Sequence, residues 1–137
     1  MDQTIRRASY FYTTVNDRPG EALRFLTSLA DLGINLLAFT AIPVGLHQTQ
    51  LTIFPDDAHK LTDQSERAGF SLDGPYSALF VQGRDVPGAL VAIHEALHDA
   101  HVNVYAATGV SGGAGQFGYM LHVRPGEFET AAAALGV

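Results

Sequence analysis

The sequence predicts an α+β fold of two βαββα(β) units in tandem, each an antiparallel sheet with helices on one face. Three observations predict it. Asp17-Arg18-Pro19-Gly20 returns as Asp85-Val86-Pro87-Gly88, 68 residues later. At that offset Leu29, Asp31, Asn35, Ala38 and Thr40 meet Leu97, Asp99, Asn103, Ala106 and Thr108, giving eight identities between 17–42 and 85–110. The hydrophobic period also changes between 2 and 3.6 in the same order in both halves, as duplicated units require. The units are assigned to residues 1–74 and 75–137.

Each unit opens on a short aromatic or β-branched run, residues 8–15 and 77–82, that reads as a strand. A Pro-Gly step follows, with Pro expected at the first helical position, where its missing N–H would be unpaired anyway. Ala22, Phe25, Leu29 and Leu32, then Leu90, Ile93, Leu97 and Ala100, carry helical spacing. The apolar runs 35–42 and 103–110 suit strands buried on both sides or nearly so. Gly45 in one unit and Ser111-Gly112-Gly113-Ala114-Gly115 in the other turn the chain into third strands at 49–54 and 117–123. Second helices follow, one through Ala58, Leu61, Ser65 and Ala68, the other through Phe128, Ala131, Ala132 and Leu135 after Pro125. Residues 70–73 supply a fourth strand before an Asp73-Gly74-Pro75 turn. The second unit reaches Val137 with nothing left for that strand, so its sheet is left open or borrows one.

Composition narrows the function. Hydrophobic residues at 47% and charged ones at 16% describe a globular chain, and without cysteine there is no disulfide, thiolate nucleophile or Cys-bound zinc. No apolar run approaches the roughly 20 residues that span a bilayer, and residues 1–7 do not read as a signal core, so a cytoplasmic location is expected. Net charge is −6, and only Arg6-Arg7 comes near a cationic cluster, which argues against nucleic acid.

The loop Asn16-Asp17-Arg18-Pro19-Gly20, with Asn35 opening the next strand and the whole pattern occurring twice, resembles the ACT domain, a small ferredoxin-like regulatory module that binds amino acids and related metabolites, so an amino acid or small carboxylate metabolite is the expected ligand. The resemblance covers essentially the whole chain, with no catalytic domain attached. It implies a ligand-binding regulatory protein without catalytic activity or cofactor, whose ligand sits near this loop and the next strand. Carried over, the ligand residues are Asp17, Arg18, Pro19, Gly20 and Asn35, and Asp85, Val86, Pro87, Gly88 and Asn103. The chemistry agrees. Glycine admits a ligand to the backbone, the helix start offers N–H groups to a carboxylate, Asp meets an ammonium, and Asn both donates and accepts. Arg18 stands where the second copy has Val86, which favours the first copy, and Arg84 is a further cation. The bland alternative is that Asp, Pro and Gly form an ordinary turn and that Asn35 and Asn103 end the helices in a left-handed conformation.

Other motifs carry less. His94-Glu95-Ala96-Leu97-His98 matches H-E-x-x-H, and His101 extends the same face, yet these histidines align with Leu26, Ala30 and Gly33, so no metal site is assigned. Gly112-Gly113-Ala114-Gly115 lacks the Lys-Ser/Thr of a phosphate loop and reads as a hairpin. Ser9, Thr13 and Thr14 have no partner base. A glyoxalase-like or other metal-dependent enzyme is one alternative, but it needs ligands on strands and only His122 qualifies. A pure protein-interaction module is another. An unfinished sheet calls for cover, so a homodimer is expected, with a regulated protein as a further partner.

Overall fold

A computed structural model of the chain describes residues 3–68 and 71–137. In order the elements are β1 (Thr4–Asn16), α1 (Glu21–Asp31), β2 (Leu36–Val44), β3 (Gln48–Pro55), α2 (Ala58–Ala68), β4 (Asp73–Arg84), α3 (Val91–Asp99), β5 (Ala106–Ser111), β6 (Gln116–His122) and, after a 3-10 turn at Pro125–Glu127, α4 (Phe128–Ala134). The chain forms two compact units. One is Ser9–Tyr76; the other is Ser77–Val137 together with the N-terminal segment through Ala8.

In the first unit the strand order is β2-β3-β1, with the start of β4 beside β1. Antiparallel register puts Phe11 opposite Ile53. Both join a core with Leu29 and Ile34, at and just after α1, and Leu61 of α2, so the two helices cover the face to which Phe11 and Ile53 point. In the second unit the order is β5-β6-β4, and the register sets Val81 against Tyr119 and Leu79 against Leu121. These four pack with Ile93 and Leu97 of α3 and with Phe128, Ala131 and Ala132 of α4. The N-terminal segment serves this second unit. β1 lies beside β4, Ile5 packs on that core, and the Gln3 side-chain amide donates to Ala89 O at 2.7 Å. Arg7 makes a two-pronged ion pair with Glu129, each bond 2.9 Å.

The repeat seen in sequence reappears in the backbone. Asp17 N–H donates to His47 O at 2.8 Å, and 68 residues on Asp85 N–H donates to Gly115 O at 2.9 Å. Ile34 to Leu29 and Val102 to Leu97 form another such pair, at 3.0 and 2.9 Å.

Several expectations need correction. Pro19 and Pro87 precede the helices, which begin at Glu21 and Val91, so neither occupies the first helical position. The left-handed residues after α1 and α3 are Gly33 (φ 73°) and His101 (φ 60°), not Asn35 and Asn103. The runs 35–42 and 103–110 are not buried strands. β2 and β5 are the outer strands of their units, and every residue of β5 is exposed, because apolar character alone does not say whether a neighbour is present. Asp73-Gly74-Pro75 is no turn: it opens β4, and Phe70, expected in a strand, lies outside the described residues. No helix among the described residues is long and apolar enough to cross a membrane.

Candidate functional site

The segment from β4 into α3 passes through a turn in which Ala89 N–H bonds Val86 O and Val91 N–H bonds Gly88 O, at 3.1 and 3.0 Å. Gly88 sits at φ 76°, a conformation that resists side chains, so the glycine sets the turn's shape. Next to the turn is a cleft of about 530 Å³. Asp85, Val86, Gly88, Leu90 and Val91 line one side, and Gly109, Val110, Ser111, Phe117 and Tyr119 of β5 and β6 line the other. The Ser111 hydroxyl donates to the Asp85 carboxylate at 2.7 Å and fixes its orientation. Across the strand pair Tyr119 faces Gly109, where a Cβ would stand 3.1 Å from the ring, so the absent side chain makes room for the phenol. Tyr119 OH is hydrogen-bonded to His94 Nε2 at 2.7 Å. Burial pushes the Tyr119 phenol up from its ordinary value and the His122 imidazole down.

A second cleft of about 430 Å³ contains Asn103, with His94, His98 and Tyr105. One hydrogen bond, His94 to Tyr119, therefore has a partner in each cleft. Of the second-copy residues expected at a site, Asp85, Val86 and Gly88 line the larger cleft and Asn103 the smaller; Pro87 lies in the turn.

The first mouth is built differently. Gly20 caps α1 at φ 91°, and Glu21 N–H bonds Arg18 O at 3.3 Å, as in the other copy. Arg18 pairs with Glu21 at 3.0 Å, and Arg24 holds the other carboxylate oxygen at the same distance. Asn35 O accepts the Asp56 N–H at 2.9 Å, so its main chain ties β2 to the start of α2. Asp17 and Pro19 are exposed.

The histidines do not converge. His94 bonds Tyr119, His98 lies 3.5 Å from Asp99, and His101 turns off the helix in its left-handed conformation, so it does not continue the α3 face. No group of three potential metal-ligating side chains occurs among the described residues. The Gly112–Gly115 stretch joins β5 to β6 as a hairpin.

No known protein family's profile matches this sequence, and no curated protein matches it. Solved structures do. Protein BT0572 from Bacteroides thetaiotaomicron superposes with a TM-score of 0.79 at 15% identity, over 96% of this chain and 88% of that one. The ligand-free regulatory subunit of aspartate kinase from Thermus thermophilus gives 0.64 at 16% identity, over 98% and 95%. The corresponding subunit from Thermus flavus gives 0.57 at 17%, over 98% and 95%. The fold is ACT-like. At such identity the likeness speaks for the fold and not for the ligand.

Sequence reasoning missed Ser111, Tyr119, Gly109, Leu90 and Val91. A signal was available. At the 68-residue offset His94 and Tyr119 replace Leu26 and Leu51, and Ser111 replaces Pro43, so several departures from the repeat fall around one site.

Proposed function

We propose that this chain is a non-catalytic regulatory protein, a tandem pair of ACT-like units, that binds a small amino acid or related metabolite. The observation that carries the reading is the cleft at the start of α3, with Asp85 held by Ser111 on its rim. An ammonium group would meet Asp85, a carboxylate the first-turn N–H groups of α3, and a side chain the apolar wall. The second mouth is preferred over the first, because Arg18 is committed to Glu21. The fold shared with regulatory subunits of aspartate kinase is consistent with regulation. A thermal-shift screen against the twenty amino acids tests the reading, since a ligand of the folded state raises its stability. If none raises the melting temperature, the amino-acid reading fails.

A protein-interaction role is a second reading, favoured by the outer strands, where Ile42 and Val110 are 50% and 68% exposed. It includes a homodimer joined through these edges. Light scattering that finds a monomer at high concentration would remove the homodimer.

A further inference from the structure

Among the described residues lining the larger cleft, Asp85 is the only ordinarily charged side chain; no lysine or arginine is present. Ser111 donates to Asp85 rather than neutralising it, which leaves a negative charge with further acceptor sites on the cleft's rim. The floor is apolar, with Phe117 and Tyr119 at 9% and 6% exposure. Val86, Val91 and Val110 are exposed, at 46%, 55% and 68%, and all three line this cleft. Scattered exposed valines need no explanation; three around one cleft mark a surface that an apolar body would cover.

Building on the ligand-binding reading above, we propose that this cleft recognises an organic ammonium with an apolar body, and that a carboxylate on the ligand is dispensable. A cation is matched by the one fixed charge, and hydrocarbon by the walls, whereas a carboxylate has only backbone N–H groups to meet it and Asp85 to repel it. Selectivity then runs from the amine inward, and primary amines belong to the ligand class alongside amino acids.

The test is calorimetry on the whole chain with two matched sets of probes. One is leucine, 3-methylbutylamine and 4-methylpentanoate; the other is phenylalanine, 2-phenylethylamine and 3-phenylpropanoate. In at least one set the amine is expected within about threefold of the amino acid, with the acid at least about tenfold weaker. Asp85→Asn, which keeps size and a hydrogen-bond acceptor, is expected to weaken the amine by about tenfold, and Asp17→Asn to leave it unchanged. An amino acid that binds while its amine is at least tenfold weaker overturns the amine class and leaves the site reading standing. Binding of the acid in preference to the amine also overturns it. If no probe of either set binds, the apolar-amine proposal falls, while the amino-acid reading stands or falls by the thermal-shift screen. The wild-type comparison decides even if a variant misfolds.

Discussion

In the first unit Leu26 and Leu51 stand where the second carries His94 and Tyr119, and Ala41 and Pro43 stand where it carries Gly109 and Ser111. The backbones agree: both turns bond the N–H of residue 21 or 89 to the carbonyl of residue 18 or 86, and both glycines have positive φ. Ala41 pairs with Leu51 in the register in which Gly109 pairs with Tyr119. One scaffold thus carries two leucines in one unit where it carries a hydrogen-bonded Tyr-His pair beside a cleft in the other. The turns and strand pairing are alike in the two units, while the side chains that line the cleft in the second differ from their counterparts in the first.

The largest test of this comparison concerns what the units share. Leu29 and Leu97 are equivalent and each 1% exposed. Leu29→Ala and Leu97→Ala should each cost about 2–5 kcal/mol in denaturant unfolding. Costs differing by more than about 3 kcal/mol would break the equivalence of the cores. Next is what they do not share. With a ligand found by screening, Asp85→Ala should weaken calorimetric affinity by about 1–3 kcal/mol, while Asp17→Ala leaves it unchanged. The reverse ranking would move the site to the first unit. Smaller still is the residue after each helix, glycine at φ 73° in one unit and His101 at φ 60° in the other. Gly33→Ala should cost about 1 kcal/mol, and His101→Gly should gain about 0.5 after the entropy of an added glycine. The smallest effect is one of pH. His122 corresponds to Phe54, and burial holds its imidazole below the ordinary value. Unfolding frees it to take a proton, so its contribution is complete above about pH 6.5 and is lost as pH falls below that. His122→Phe should flatten the stability profile between neutral and mildly acidic pH; an unchanged slope would assign the acid sensitivity to other groups.

Much of the fold was legible. The Asp-x-Pro-Gly pair located both turns, and the spacing of Leu29 and Leu97 found the buried helix faces, because local periodicity reports the helix face that meets a sheet. Strand neighbours were not legible, since they depend on contacts distant in sequence. Nothing local says that residues 4–8 serve the second unit, or that the apolar runs at 35–42 and 103–110 lie at outer edges. His101 was also hidden, because histidine tolerates the left-handed region without a mark in the sequence. Of the residues lining the larger cleft, Asp85, Val86 and Gly88 were expected from the repeat, and Asn103 lines the smaller one, while Ser111 and Tyr119 carry no shared motif and show only where the two copies differ.

The use of the N-terminal segment by the second unit bears on how the chain comes together during synthesis. Gln3 meets Ala89, and Arg7 meets Glu129, across separations of 86 and 122 residues. Residues 3–7 therefore leave the ribosome well before the α4 helix that Arg7 meets, whereas residues 9–76 form a compact unit from one continuous stretch. Such distant contacts slow folding. The second unit should accordingly be the later to fold, and a fragment beginning at Ser77 would lack Ile5 from its core however intact its own helices were.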